Sequence, residues 1–390
     1  MNLTEKMTRC MRQAVERNEA PGISLLIARG DEELCYAQAG VADLETGKPL
    51  GRDTIFRLYS QSKPITAAAV MMLADRGEID LMDAVDRYLP GFRSPKVVEA
   101  NGSVHRIARA PWIIELLSMT GGLCYPDLDP AGHGAARVFQ EAEKRIQEGE
   151  GMPTVEFANR MGEEPLAFMP GTHWRYSSGA DILGAVVEVV SGRRFGDFLR
   201  EELFEPLGMK DTGFWVPEEK QDRLVSCYKR TGQGLKPHQS LHLAVGRYDR
   251  PPAFESGGAG LVSTLDDYMA FARMLMREGR AGDRQLLSPA AVRFMRQPQL
   301  TEKVRGDMWD NLGGYNYSCL MRICTHPGQA AHFASMGEFG WDGWLGTYFI
   351  NLPEEDVTFL QFLNVADTGT SPVTRRCRNL LAAHLSGMKD

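Results

Sequence analysis

Residues 60–76 read SQSKPITAAAVMMLADR, and Gly77 follows them. From Pro64 onward the stretch is apolar and rich in Ala and Met, so it predicts a helix that ends near residue 76. Ser60 and Lys63 stand three residues apart where that helix begins. Residues at this spacing share one face of a helix, and its first turn leaves backbone N–H groups free. The stretch therefore predicts a hydroxyl, an amine and a free N–H donor close together.

This pair of residue types suggests nucleophilic chemistry. A serine hydroxyl is a poor nucleophile until a neighbouring base removes its proton, and Lys63 could be that base. The pKa of an ordinary lysine is about 10.4, so burial or an adjacent cation must lower it before the amine accepts a proton at neutral pH. The alternative is a surface lysine beside a helix-capping serine. The same spacing recurs at Ser226 to Lys229 and at Ser386 to Lys389, so spacing alone does not decide.

Two later stretches add to the first. Residues 170–184 read PGTHWRYSSGADILG, and residues 339–347 read FGWDGWLGT. The former closely resembles the Tyr-x-Asn motif of serine β-lactamases of the class C type, penicillin-binding peptidases and related carboxylesterases. The latter resembles their third motif, which is Lys-Thr-Gly, His-x-Gly or Trp-x-Gly on an edge strand of the sheet. The resemblance extends through residues 21–22, 40–43, 206–209 and 256–264, and covers nearly the whole chain apart from about residues 93–160.

The resemblance implies catalytic roles for three residues. Ser60 would be the nucleophile that accepts the acyl group, Lys63 its base, and Tyr176 the phenol that relays protons to the leaving group and to the deacylating water. The alternative for Tyr176 is a core aromatic that tethers a loop. Ser178 stands where the family has Asn, and we expect it to contact either the substrate or Lys63.

Acyl transfer also needs donors for the tetrahedral oxyanion, each worth about 3 kcal/mol. The resemblance implies that they are the backbone N–H groups of Ser60 and Trp344. Gly343 fits this interpretation, because a side chain there would hinder the approach of the strand to the substrate.

The third motif also bears on the substrate. Trp341 stands at its head, where lactamases and peptidases of this superfamily often have a Lys that holds a carboxylate. Asp342 adds a negative charge that should repel an anionic substrate. We therefore expect neutral, apolar esters or amides, with Trp341, Trp344 and Phe339 either lining an aromatic wall or packing in the sheet.

The order of predicted elements indicates a mixed α/β (α+β) fold of the β-lactamase and transpeptidase type, with an antiparallel sheet flanked by helices. Strands are predicted at both ends of the chain, including residues 315–323, 345–351 and 357–363, and helices dominate the middle. We expect a sheet domain formed by residues 1–80 and 253–390, a mostly helical inserted domain over residues 81–252, and the active site at their junction.

Composition excludes several classes of partner. The chain has 44 Lys and Arg against 51 Asp and Glu, a formal charge of −7, and no basic cluster that would bind nucleic acid. No run approaches the roughly 18 apolar residues of a membrane span, and the mixed charges of residues 1–6 argue against a secretory signal. Seven scattered cysteines without a C-x-x-C pair indicate reduced thiols and a cytoplasmic location.

No metal or cofactor is expected. His238 and His242 are four residues apart, but they lie in a segment flanked by Gly and Pro and are interpreted as non-ligands. The charged run Glu141, Glu143, Lys144 and Arg145, on a helix predicted over residues 135–147, is interpreted as a solvated face. The expected partner is a small-molecule ester, amide or β-lactam, and the oligomeric state stays open.

The hypothesis is a serine hydrolase that acts through an acyl-enzyme on Ser60, most simply on esters or amides, with weak β-lactam hydrolysis as an additional activity. An acyltransferase or a D-amino-acid peptidase would use the same acyl-enzyme. A non-catalytic binding module that retains the cleft is the third possibility.

Overall fold

Strands from the two ends of the chain pair into one antiparallel sheet of seven strands. The computed structural model describes residues 1–387. The strands are β1 (Gly22–Arg29), β2 (Glu32–Gly40), β3 (Phe56–Arg57), β4 (Lys96–Val98), β5 (Val104–Arg106), β6 (Tyr228–Thr231), β7 (Gly234–Pro237), β8 (Val262–Ser263), β9 (Arg280–Ala281), β10 (Arg284–Gln285), β11 (Tyr315–Ser318), β12 (Met321–Cys324), β13 (Phe339–Asp342), β14 (Tyr348–Leu352) and β15 (Val357–Phe362). The large sheet has the order β11-β12-β13-β14-β15-β1-β2, and the other strands form two-stranded pairs.

Helices cover both faces of this sheet and fill the middle of the chain. They are α1 (Leu3–Glu16), α2 (Lys63–Asp75), α3 (Ile113–Leu117), α4 (Pro130–Glu148), α5 (Thr154–Glu163), α6 (Gly179–Ser191), α7 (Phe195–Leu199), α8 (Glu205–Leu207), α9 (Leu265–Met276), α10 (Pro289–Met295), α11 (Glu302–Arg305) and α12 (Pro372–Leu385). The helix predicted to begin at residue 64 is α2, and it follows a 3₁₀ turn over Tyr59–Ser62 that carries Ser60.

The two faces of the sheet belong to different hydrophobic clusters. Alternate residues of β1 point to opposite sides, so Ile23, Leu25 and Ile27 pack with α1 and α12, whereas Leu26 joins the larger cluster that contains α2 and α9. This larger cluster also includes core residues of α4, α5 and α6. The antiparallel sheet flanked by helices confirms the predicted fold class, and the division into two domains stays a prediction.

Two details of the sheet differ from the expectations. Residues 315–323 form a hairpin of β11 and β12 and not one strand, because Cys319 and Leu320 adopt φ values of 43° and 62° and turn the chain. The third motif lies on β13, which pairs with β12 on one side and β14 on the other, so it is not on an edge strand. The β12 pairing ends at Gly340, and Trp341 and Asp342 extend beyond it.

Within residues 1–387, no helix is long and apolar enough to cross a bilayer.

Candidate active site

Ser60 lies on the 3₁₀ turn that leads into α2, at the edge of a cavity of about 410 Å³. The preceding residue, Tyr59, has φ of 45°, a conformation that costs a non-glycine residue about 1–3 kcal/mol and persists only where the surroundings impose it. Packing of the Tyr59 ring against Trp344, with centroids 4.9 Å apart, is one such constraint. Ser60 as a residue is 9% exposed and lines the cavity.

Lys63 lies directly behind this serine and is fully buried. Its Nζ lies 3.2 Å from Ser60 Oγ, 2.9 Å from the Tyr125 hydroxyl and 2.9 Å from the Gly258 carbonyl oxygen. Burial lowers the pKa of Lys63 to about 7, and the negative charge of Asp181 partly opposes this shift. The depressed pKa that the chemistry requires is therefore present.

These three contacts are compatible with an orientation of the neutral amine that suits a base. A neutral amine keeps two N–H groups and one lone pair. When Tyr125 and Gly258 accept the two N–H groups, the lone pair is directed at the Ser60 hydroxyl. Lys63 can then accept the serine proton without first rotating, which is the orientation that a general base needs.

Two of the groups around Lys63 were not identified from the sequence. Tyr125 belongs to a loop without periodicity, inside the stretch where the family resemblance is weakest. Asp181, in the first turn of α6, accepts hydrogen bonds from the Ser256 hydroxyl and from the Gly258 N–H, the latter at 3.0 Å. It therefore fixes the loop whose carbonyl group holds Lys63. The sequence does contain a signal for this loop in residues 256–260. Its two adjacent glycines, Gly257 and Gly258, indicate that the backbone there packs closely against other parts of the chain.

Tyr176 lies beside the same amine. Its ring centroid is 4.6 Å from Lys63 Nζ, and its hydroxyl accepts a hydrogen bond of 3.0 Å from the Trp341 indole N–H. Burial raises the pKa of Tyr176, while contacts with Ser60 and Trp341 oppose that rise. The structure thus brings Ser60, Lys63 and Tyr176 together from two distant parts of the sequence.

Gly343 explains how β13 approaches the serine. A Cβ at this position would clash with the Leu58 carbonyl oxygen and the Thr347 hydroxyl. The Thr347 hydroxyl itself donates to Leu58 at 3.0 Å. Because Leu58 lies two residues before the nucleophile, the end of β13 and the Ser60 turn are held against each other at a distance that only glycine permits.

Substitution of this glycine should therefore damage both stability and activity. We expect Gly343→Ala to reduce the free energy of unfolding by about 1–3 kcal/mol, because the backbone of Leu58 must shift. Turnover should fall as well, since that shift displaces Ser60. Gly328→Ala is the matched control, because nothing lies within 4 Å of its added Cβ. Denaturant unfolding and ester turnover measure the two effects, and equal behaviour of the two variants would contradict this explanation.

The expected oxyanion donors have free N–H groups. Among the residues described here, neither the Ser60 nor the Trp344 backbone N–H has a hydrogen-bond acceptor. Both residues line the cavity. An oxyanion hole requires two N–H donors that have no other acceptor. The assignment of these two groups to that role stays a prediction.

The aromatic residues of the third motif occupy different environments. Trp344 lines the cavity, stacks on His242 with centroids 4.0 Å apart and donates its indole N–H to Asp367. Trp341 is buried behind Tyr176, and Phe339 is buried in the sheet under Arg296. The wall in front of Ser60 is therefore built from Trp344, together with Tyr125, Phe139, Tyr176, Leu241 and Leu243.

Asp342 does not carry an isolated negative charge, because its carboxylate is paired with a cation. Its carboxylate accepts a hydrogen bond of 2.9 Å from the Arg322 guanidinium and another from the Thr370 hydroxyl. Arg322 is buried and also lies over the Trp341 ring. The features that favour neutral substrates are therefore Trp341 in place of a lysine and the cavity lining, not Asp342.

The remaining candidates lie as follows. Ser178 precedes the first residue of α6 and makes no side-chain capping bond. Its hydroxyl donates to the Cys124 carbonyl oxygen at 3.2 Å, and its contact with substrate or Lys63 stays a prediction. In the second copy of the spacing, Ser226 donates to Asp43 and Lys229 is half exposed beside Asp367. The third copy extends to Lys389, outside the described residues.

This fold, in which a serine hydroxyl lies within hydrogen-bonding distance of a buried amine, is that of a serine hydrolase. The chain belongs to the β-lactamase family, whose model matches residues 7–384. The family match agrees with the resemblance that the three sequence motifs indicate.

Individual relatives are similar over most of their length. Esterase EstB of Burkholderia gladioli is 30% identical over 400 residues, which cover 98% of this chain and 96% of the esterase. Penicillin-binding protein 4 of Amycolatopsis lactamdurans is 30% identical over 335 residues, covering 83% and 77%. Among solved structures, EstCE1, described as a hydrolase with promiscuous acyltransferase activity, superposes with a TM-score of 0.82 and 26% identity over 97% of this chain and 98% of its own.

Proposed function

We propose that the protein is a carboxylesterase in which Ser60 forms the acyl-enzyme, Lys63 is the base and Tyr176 relays the proton. The observation that carries this proposal is the 3.2 Å contact between Ser60 Oγ and a fully buried amine whose pKa is about 7. No residue of the site other than Lys63 needs to change its protonation state before the first step.

In the first half-reaction the Ser60 oxygen attacks the ester carbonyl carbon while its proton passes to Lys63. The oxyanion is stabilised by the N–H groups of Ser60 and Trp344. Tyr176 gives its proton to the departing alkoxide, and the proton held by Lys63 returns to Tyr176 by way of the Ser60 oxygen, which both groups contact. Water then attacks the acyl-enzyme by the same route in reverse, which releases the acid and restores the Ser60 hydroxyl.

Esters are favoured over anionic peptides and β-lactams by the composition of the cavity. Its lining includes no Lys or Arg among the residues described, and Trp341 replaces the carboxylate-binding lysine of the third motif. The similarity to esterase EstB points in the same direction. We expect p-nitrophenyl butyrate to be hydrolysed with a kcat/KM at least about 100-fold above that for a chromogenic cephalosporin or a D-alanine anilide. The reverse preference would refute the assignment.

Acyl transfer is a second candidate, because apolar side chains occupy much of the cavity wall and limit water around the acyl-enzyme. The description of EstCE1 supports it as well. Turnover of a p-nitrophenyl ester with increasing concentrations of an alcohol tests it. A transferase forms the new ester as its main product at low alcohol concentration, whereas a hydrolase forms mainly the acid.

A cytoplasmic location is the accompanying proposal. All seven cysteines are free thiols, and six of them are buried. Thiols persist without pairing most readily in a reducing compartment. Fractionation of the native host tests this proposal, and recovery of the protein in the medium would contradict it.

A further inference from the structure

One carboxylate faces the cavity in front of Ser60. It belongs to Glu143 of α4, and it lines the cavity together with Tyr125, Phe139, Tyr176 and Trp344. The sequence pattern predicts a solvated face for the charged run that contains it. The structure separates Glu143 from that run, because Glu143 lines the active-site cavity whereas Glu141, Lys144 and Arg145 do not.

Other charged residues on the same helix are in ion pairs. Glu141 lies 3.6 Å from Arg160, Glu148 lies 3.7 Å from Lys144, and Arg145 lies 2.7 Å from Glu156. Within residues 1–387, Glu143 has no basic partner. Its one hydrogen bond there is accepted by Oε1 from the Ala244 N–H at 3.1 Å. A carboxylate without a counter-charge in a partly buried site favours a cation from outside.

The rest of the cavity is suited to the same charge. Aromatic faces attract ammonium groups, most strongly where water is excluded, and such faces together with a carboxylate are the usual elements of an ammonium-binding cage. No Lys or Arg lines the cavity in the described part of the chain, and Lys63 is sealed behind Ser60. His242 has a lowered pKa, because burial disfavours its protonated form, so it adds no positive charge at neutral pH.

We propose that this cavity selects esters that carry an ammonium group, which lies against the Glu143 carboxylate and the surrounding aromatic rings. The inference rests on the proposed esterase function and names its substrate class. The chemistry requires a cation separated by a few bonds from the ester carbonyl group, on either the acyl or the alcohol side.

The other interpretation gives Glu143 a structural role. Leu243 and Ala244 have φ values of 56° and 55°, and the bond from the Ala244 N–H to Glu143 holds this strained turn. Glu143→Gln separates the two roles, because the amide oxygen can still accept that bond while the charge is removed. Glu141→Gln is the matched control on the same helix, since it removes a carboxylate whose partner is Arg160.

Two pairs of isosteric esters provide the test. The acyl pair is the p-nitrophenyl ester of 4-(trimethylammonio)butanoic acid and that of 5,5-dimethylhexanoic acid. The alcohol pair is butyrylcholine and 3,3-dimethylbutyl butyrate. Within each pair the two members have nearly the same shape and differ in charge. For the native protein we expect the cationic member of at least one pair to have a kcat/KM about tenfold or more above its neutral isostere, equivalent to about 1.4 kcal/mol. This ratio should fall when the salt concentration is raised.

Glu143→Gln should reduce that ratio about tenfold, while Glu141→Gln leaves it unchanged. Hydrolysis of the neutral esters with a ratio of one or below in both pairs would overturn the inference and leave the esterase function intact. A ratio that Glu143→Gln does not change would overturn it equally. If no ester of either pair, nor p-nitrophenyl butyrate, is hydrolysed, the proposed function fails and the inference fails with it.

Discussion

Replacement of Ser60 by alanine is expected to reduce kcat/KM for p-nitrophenyl butyrate by at least about 10⁴-fold. The hydroxyl is the only group that the proposed mechanism uses to form a covalent bond with the acyl carbon. Of its neighbours, Lys63 is fully buried and cannot reach the carbonyl carbon. Tyr176 lines the cavity, but burial raises the pKa of its hydroxyl, so it is a poor nucleophile. The free energy of unfolding should change little. Ser60 is 9% exposed, and its hydroxyl is hydrogen-bonded to Lys63, which keeps its bonds to Tyr125 and Gly258 in the variant.

The second copy of the Ser-x-x-Lys spacing supplies the control for this experiment. Ser226→Ala removes a hydroxyl that donates to Asp43, so it should leave turnover within about twofold of the native value. Substantial turnover by Ser60→Ala would eliminate the acyl-enzyme mechanism. Equal losses in both variants would show that the effect arises from folding and not from chemistry.

Replacement of Lys63 should be nearly as severe, and arginine should not rescue it. Lys63→Met removes the base, and Lys63→Arg supplies a cation that stays protonated and cannot accept the serine proton. Both variants should lose at least about 10³-fold in kcat. If Lys63 acted only as a positive charge, arginine would retain much of the activity. Lys229→Arg is the control, because this lysine is half exposed and pairs with Asp367.

The pH profile of the native protein gives an independent measure of the same role. The reactive form of Lys63 is the neutral amine, which predominates above its pKa of about 7. The kcat/KM should therefore rise with pH through an apparent pKa near 7 and then level off. Asp181 favours the protonated amine, so Asp181→Asn should lower this apparent pKa, while the asparagine side chain retains an acceptor for Gly258. If the apparent pKa of the profile is the same in the native protein and in Asp181→Asn, the assignment of this pKa to Lys63 is contradicted.

Much of this site could be predicted because its residues lie in short contiguous motifs. Ser60 and Lys63 share one turn, so their contact follows from local helix geometry. Tyr176 and β13 required the family resemblance, since nothing local predicts that they approach Ser60. The apolar run after Pro64 predicted α2 almost to the residue, because both its start and its stop have sequence signals.

Other features depend on tertiary contacts that have no local signal. The turn between β11 and β12 uses Cys319 and Leu320, which are buried apolar residues and not the Asn or Gly that normally marks such a turn. The neutralisation of Asp342 depends on the placement of Arg322 on β12 and of Thr370 after the sheet. Glu143 and its paired neighbour Glu141 are indistinguishable in sequence, and only the direction of each side chain on α4 separates them.

The central claim is that Ser60 is the residue that becomes acylated. Labelling with an alkyl fluorophosphonate, followed by intact mass measurement, peptide mapping and assay of residual turnover, tests this claim most directly. We expect one label per chain, located on Ser60, with activity lost in proportion to the fraction labelled. Complete inactivation with the label on another residue, or undiminished turnover after Ser60 is fully labelled, would contradict it.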